Sequence, residues 1–460
     1  MGITKELAGF VHRLRFQDLP EEVVERVKYL FLDFIGVAWR GSRERSSRSM
    51  IRFVRDMSRN DRTGVIIGTN EKVSCVYAAL ANGTSGHAVE MDDVNNEASL
   101  HPGVTVFPSA LATGEMTGAS GRRFIEAVVL GYEVMVRLGR ALGPEAHYRR
   151  GFHPTGTCGV FGSSVAASKV MGLGAETVAS AVGISGSQAA GSMEFLAEGA
   201  WTKRFHAGWA AHSGILAAHL ARHGFTGPRT IIEGRDGFLH AYSDRSDKTR
   251  ILDKLGSRFE ILRTSVKPHS CCRYMQPPID GILTLVRDHG IRPDEVERVR
   301  LGTLRAGSRL IAEPKEVKYN PQTVVDAQFS MPFGAAVALL YGKAALNEFH
   351  PSKIHSDEVR DMMDRVEYFE DPELEPAFPK QWGATVEIVT RGGERYATRV
   401  EYPKGDPENP LTWQELVEKF SDLTGRLMTK ERRLKIIGET RGLEGIRNIG
   451  EWSSLLVDPR

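Results

Sequence analysis

Apolar residues recur at helical spacing over the first half of the chain, and alternate at strand spacing only within the second half. Residues 20–38 are the clearest helical case. Pro20-Glu21-Glu22 opens a first turn suited to the helix dipole, and Val23, Val27, Leu30, Phe31, Phe34 and Val37 then fall on one face. Ala-rich apolar stretches at 73–90, 104–118, 122–142, 158–172, 176–190 and 207–223 predict further helices. Small residues dominate their faces, as in Ala210, Ala211, Gly214, Ala217 and Ala218, and such faces permit close helix packing. The segments between them are rich in Gly, Pro and His, where a helical scaffold presents a site.

From about residue 265 the texture changes. Val299, Leu301 and Thr303 alternate as in a half-buried strand. Val386, Ile388 and Thr390, then Gly392-Gly393, then Tyr396, Thr398, Val400 and Tyr402 predict a β-hairpin. Helical stretches lie between these strands, at 274–289 and 325–341. The run from Pro403 to Pro410 is a turn-rich exit, and Thr412-Trp413-Gln414-Glu415 starts another helix with a capping box. The expected fold class is mainly α. A large all-helical domain, residues 1–264 plus 403–460, carries an inserted smaller α+β domain, residues 265–402.

Composition narrows the function classes. At 460 residues two domains are the natural expectation. The formal net charge is +2 and no long basic tract appears, which argues against nucleic acid or an anionic membrane as partner. No run approaches the roughly 18 to 20 apolar residues of a membrane span. The start, Met1-Gly2-Ile3-Thr4-Lys5-Glu6, lacks a signal layout, and Glu6 stands where myristoylation wants Ser or Thr. The expected location is the cytoplasm. Cys75, Cys158, Cys271 and Cys272 form no CxxC pair and no metal ladder.

Candidate chemistry gathers in short clusters. His87-Ala88-Val89-Glu90-Met91-Asp92-Asp93 precedes His101-Pro102-Gly103. Helical spacing would put His87 near Glu90 and Met91, and a carboxylate beside an imidazole suits acid–base work. Helix capping by the aspartates is the structural alternative. His153 leads through Pro154-Thr155-Gly156-Thr157 into a helix whose free N–H groups suit a carboxylate, or which Thr155 or Thr157 simply caps. Lys203, Arg204 and His206 sit among small apolar residues, as anion ligands or as a solvated face. Lys267-Pro268-His269-Ser270-Cys271-Cys272-Arg273 supplies cations at the expected domain boundary, where ligands favour the cleft and where a plain linker also fits. Tyr319, in Lys318-Tyr319-Asn320-Pro321, is a candidate proton donor. GxSxG, a Walker loop and HExxH are absent, and Asp92-Asp93 with Glu97 lacks the second motif that a Mg²⁺-dependent terpene cyclase needs.

Taken in order, these segments resemble the MmgE/PrpD family over nearly the whole chain. The match runs from Leu32-Asp33-Phe34-Ile35-Gly36 through Ala81-Asn82-Gly83, His87, Asp92-Asp93 and His101-Pro102. It continues through Trp201-Thr202-Lys203, His206-Ala207-Gly208, Gly224-Phe225-Thr226-Gly227-Pro228 and Lys267-Pro268 to the exit at Pro403-Lys404-Gly405-Asp406-Pro407. The resemblance implies a helical domain with an α+β lid, usually a homodimer, and no metal or organic cofactor. Its known members include 2-methylcitrate dehydratase, cis-aconitate decarboxylase and iminodisuccinate epimerase. The family's site residues fall on the Asp92-Asp93 region, His101, His153, Lys203, Lys267 and Tyr319. The chain departs from the decarboxylase branch at Glu90, where an acidic pair begins with Asp, and at Cys272, flanked by Arg273, where that branch has histidine.

The expected chemistry is proton abstraction next to a carboxylate of a small di- or tricarboxylate, followed by loss of a hydroxyl. His101 and His153 would be base and acid, with Asp93 orienting a histidine. Lys203, Lys267 and Arg273 would clamp carboxylates, with Asp92, Arg204, His206, His269 and Cys272 lining the site. The alternatives are an epimerase, a decarboxylase, a carboxylate-binding protein without turnover, and a metal-dependent hydrolase built on Asp92, Asp93 and His101.

Overall fold

In a computed structural model, which describes residues 2–59 and 61–458, the apolar stripes of the first half fold as helices. They are α1 (Ile3–Arg13), α2 (Glu21–Gly41), α3 (Arg45–Ser58), α4 (Cys75–Gly86), α5 (Gly103–Thr117), α6 (Gly121–Leu142), α7 (Pro144–Arg149), α8 (Pro154–Val170), α9 (Ala175–Gly186) and α10 (Thr202–Arg222). The stripe read on α2 is its buried face: Val23, Val27, Leu30, Phe31, Phe34 and Val37 are each almost fully enclosed. Each such side chain contributes roughly 1.5–3 kcal/mol by leaving water.

Helix α10 packs on α4, α5, α8 and α9. Its crossing with α4 is closer than ordinary side chains permit. A Cβ added to Gly208 would lie 2.1 Å from the Leu80 carbonyl oxygen, and one added to Gly83 would lie 2.8 Å from the Gly208 Cα. This near-backbone contact brings the residues just after α4 beside the first turns of α10. The small-residue pattern of the sequence therefore positions polar groups as well as filling a core.

Helix α4 stops at Gly86, short of the predicted 90. Glu90 has φ of +56°, in the left-handed region that a β-carbon disfavours, so the helix cannot continue through it. Residues 87–102 form a connection to α5 that is buried over most of its length.

The chain divides into two compact units, one running to Thr264 and resuming at Thr412, the other Ser265–Leu411. The exit at 403–411, expected with the helical domain, groups with the second unit. The Val266 N–H donates to Gly405 O at 2.9 Å, and Ser265 Oγ donates to Asp406 Oδ1 at 2.6 Å.

The second unit holds a four-stranded sheet. Val296–Thr303 pairs in parallel with Val366–Glu370 and antiparallel with Ala384–Thr390, which forms the hairpin with Arg395–Val400. Its alternation buries Val296, Val299, Leu301, Val386 and Ile388, which cluster with Ile279 and Ile282 of the helix Gln276–His289. The predicted helix 325–341 is two helices, Val324–Gln328 and Met331–Tyr341. Ser330 caps the second, and Pro332 in its first turn has no N–H to continue the first. The protein is thus mainly α, with a small sheet domain. Among the described residues, no helix is long and apolar enough to cross a membrane.

Candidate active site

One carboxylate organises the connection after α4. Asp92 Oδ2 lies 2.8 Å from His87 Nδ1 and 3.0 Å from His101 Nδ1. His101 Nδ1 also lies 2.7 Å from the Asp93 carbonyl oxygen, which can only accept. The neutral His101 ring therefore carries its proton on Nδ1 and its lone pair on Nε2. The His101 N–H donates to Thr155 Oγ1 at 3.1 Å and fixes this loop to the start of α8.

Asp93 does not orient a histidine with its carboxylate, contrary to expectation. Its Oδ1 accepts the Gly103 N–H at 2.9 Å at the start of α5, and its Oδ2 accepts the Tyr132 hydroxyl of α6 at 2.6 Å. Only its backbone carbonyl reaches His101. Complete burial pushes the Asp93 carboxyl up to about 7. The imidazole is oriented by the Asp93 carbonyl at 2.7 Å and by the carboxylate of Asp92, read from sequence as a substrate ligand, at 3.0 Å.

His153 stands immediately before α8 without a side-chain capping bond, and its N–H donates to Gly191 O at 2.9 Å. Its Nδ1 lies 3.2 Å from His206 Nδ1 on α10. One ring must donate and the other accept, so the pair cannot be doubly charged. Burial and the neighbouring cations hold His153 well below the ordinary imidazole range and pull His206 down to about 4. The Phe195 ring stands 6.2 Å from each imidazole.

These rings form one group. His87 lies 4.8 Å from His101 and 5.9 Å from His153, centroid to centroid, and His153 lies 5.4 Å from His206. Lys203 pairs with Glu90, and both are buried. Glu90 thus has a use for its strained backbone: the left-handed turn aims its carboxylate at α10. Arg204 donates to Ser46 Oγ of α3 at 2.9 Å.

The donor atoms of His87, Asp92 and His101 lie within 4.8 Å of one another, close enough for a metal ion. A ligating imidazole nitrogen needs its lone pair, whereas His101 Nδ1 carries a proton toward the Asp93 carbonyl.

The second unit holds the other predicted residues. Arg273 clasps Asp406 with bonds of 2.6 and 2.8 Å, 5.5 Å from the Trp382 ring. His269 Nε2 is 2.9 Å from Asp280 Oδ1, and Asp280 Oδ2 accepts the Lys404 N–H at 2.6 Å. Cys272 is buried in the apolar cluster beneath the sheet, and Lys267 is almost completely buried. The Tyr319 hydroxyl donates to the Val366 carbonyl at 2.6 Å. Thus Arg273, His269 and Tyr319, expected to face substrate, each hold an acceptor of their own unit.

The sequence reading brought His101, His153, Lys203, His206 and Asp92 to one place, and the structure groups them so in the first unit. It left His87 out of the site. The available signal was its position five residues before Asp92, obscured by placing His87 on a helical face with Glu90 and Met91.

The MmgE/PrpD N-terminal domain matches residues 5–251, and the MmgE/PrpD C-terminal domain matches residues 269–442. The chain is 29% identical to the cis-aconitate decarboxylase-like protein oryM of Aspergillus oryzae, over 99% of this chain and 97% of that protein. It is 26% identical to cis-aconitate decarboxylase of Aspergillus terreus, over 100% of this chain and 96% of that enzyme. It is also 26% identical to the cis-aconitate decarboxylase of Homo sapiens, over 100% of this chain and 95% of that enzyme. With both domain models matched in order over most of its length, the chain belongs to the MmgE/PrpD family.

Proposed function

We propose that the protein is a lyase that removes carbon dioxide from a small unsaturated polycarboxylate of the cis-aconitate type, using side-chain acids and bases. The observation that carries this reading is the buried group of imidazoles around the His101–Asp92 pair, with Lys203 near enough to act on His153 and His206. End-to-end similarity to enzymes named for that decarboxylation supports it.

The chemistry follows from the charges. When the carbon–carbon bond to the departing carboxylate breaks, its electron pair stays on the unsaturated carbon frame. That charge needs a nearby cation and then a proton. Lys203 supplies fixed positive charge, moderated by Glu90. His101, protonated on both nitrogens and balanced by Asp92, transfers the Nε2 proton to carbon and returns to the neutral ring. His153 and His206, held neutral by burial, supply polar contacts without adding a competing charge.

Dehydration of a hydroxy polycarboxylate is the second reading, favoured by Cys272. Its thiol lies in an apolar cluster, where the decarboxylase branch has a histidine. Both readings are tested by incubating the full chain with cis-aconitate, and with citrate and 2-methylcitrate, in deuterated water, followed by NMR. The expected product has lost one carboxylate and gained one deuteron at carbon. Interconversion of hydroxylated and unsaturated acids would replace decarboxylation by dehydration. No product and no deuterium exchange with any of them would overturn both.

A further inference from the structure

His87 is fully buried, and its Nε2 has no hydrogen-bond partner among the described residues. A buried polar atom left so is destabilising, which a purely structural histidine would avoid. The opposite ring nitrogen is held by Asp92 at 2.8 Å. Since an ionised carboxylate only accepts, His87 carries a proton on Nδ1 and keeps a lone pair at Nε2, as His101 does. The two rings therefore share one carboxylate oxygen: Asp92 Oδ2 lies 2.8 Å from His87 Nδ1 and 3.0 Å from His101 Nδ1. His153 and His206 differ. Their Nδ1 atoms face each other, and among the described residues neither ring makes a hydrogen bond to a carboxylate.

We propose that His87 is a second acid–base group of the site, coupled to His101 through Asp92 so that the two imidazoles share one transferable proton. With one added proton, the two rings and the carboxylate sum to no net charge. A second added proton would leave an uncompensated buried charge beside Lys203, so the pair acts as one acid with two delivery points. Delivery breaks the N–H bond at one Nε2 and forms a C–H bond with the electron pair that departing carbon dioxide leaves behind. The ring returns to neutral, and a proton from water restores the starting state. The ligand class is a polycarboxylate, and the proposal rests on the lyase reading above.

Two substitutions separate this role from a structural one. His87→Asn keeps an amide donor near Nδ1 for Asp92 and removes Nε2; His87→Gln places an amide near Nε2 and gives up the Asp92 bond. Turnover of cis-aconitate by His87→Asn should fall roughly 10²-fold, with an unchanged urea midpoint and an unchanged KM. Turnover by His87→Asn within threefold of the natural chain, with His87→Gln impaired, would overturn the proposal, since holding Asp92 would then be the whole role. If the natural chain turns over no polycarboxylate, the lyase reading fails separately. Imidazole ¹⁵N NMR with tricarballylate, a saturated tricarboxylate, then decides the assignment of His87. A shift of its Nε2 signal on binding supports a ligand-facing nitrogen, and an unmoved signal overturns it.

Discussion

The polar cluster of the first unit and that of the second use similar residues to opposite ends. In the segment Ser265–Arg273, Arg273 faces Asp406 and His269 faces Asp280, each within hydrogen-bond distance. In the first unit four imidazoles adjoin one another, and one carboxylate, Asp92, serves two of them. Two rings are held neutral by burial and one nitrogen has no partner among the described residues. A polar group matched by its own fold stabilises that fold. A cluster with fewer carboxylates than imidazoles keeps protons exchangeable. On the proposed function, the first cluster carries the chemistry and the contacts of Arg273, His269 and Tyr319 hold the second unit together.

The largest expected effect tests the chemical side. His101→Asn keeps a donor toward Asp92 and the Asp93 carbonyl but has no Nε2. Turnover of the true substrate should fall about 10²- to 10⁴-fold with little change in the urea midpoint. Unchanged turnover would break the comparison at its reactive end.

The structural side should respond in stability. Arg273→Ala removes the guanidinium from the buried Asp406, which also accepts from the Ser265 hydroxyl. Breaking a buried ion pair from one side costs about 3–5 kcal/mol, which a urea titration of the full chain reads directly. A stable variant that had merely lost substrate affinity would move Arg273 from the structural cluster to the chemical one.

The sequence conveyed the helices well, because a 3.6-residue repeat such as that of α2 is written in consecutive residues. It also brought His101, His153 and Lys203 together, through family resemblance more than through spacing. It did not convey who holds whom. Asp406 is 133 residues from Arg273, and Val366 is 47 from Tyr319, so neither pairing leaves a local pattern. Within the 87–102 loop the obstacle was Glu90, whose left-handed backbone no residue type announced. Which of two adjacent aspartates turns its carboxylate toward His101 depends on that turn.

A pH-dependent effect sharpens the distinction between those aspartates. Asp93 is neutral in the fold up to about pH 7, whereas an ordinary aspartyl carboxyl ionises near 3.8. The folded state thus holds a proton that the unfolded state has lost. The stability from this group is fully present below 3.8 and is lost as pH rises toward 7. Asn at this position titrates in neither state. The stability of Asp93→Asn relative to the natural chain should therefore rise from pH 5 to pH 7 and level off above it, by at most about 1.4 kcal/mol per pH unit. A difference that does not change with pH would mean that the carboxylate is ionised in the fold.

The smallest expected effect concerns Tyr319, which family resemblance marks as a site residue and geometry marks as a strut. Its hydroxyl donates to the carbonyl of Val366, which begins an outer strand of the sheet, and its ring lies beneath the Lys315 ammonium at 5.2 Å. Tyr319→Phe keeps the ring and removes one hydrogen bond, worth about 0.5–1.5 kcal/mol in net stability. The urea midpoint should fall by that small amount, and turnover of cis-aconitate should stay within about twofold. A hundredfold loss of turnover with an unmoved midpoint would show that the hydroxyl leaves Val366 during the reaction. The bonds that make the second cluster look satisfied would then describe a resting arrangement, and Arg273 and His269 would have to be tested for the same exchange of partners.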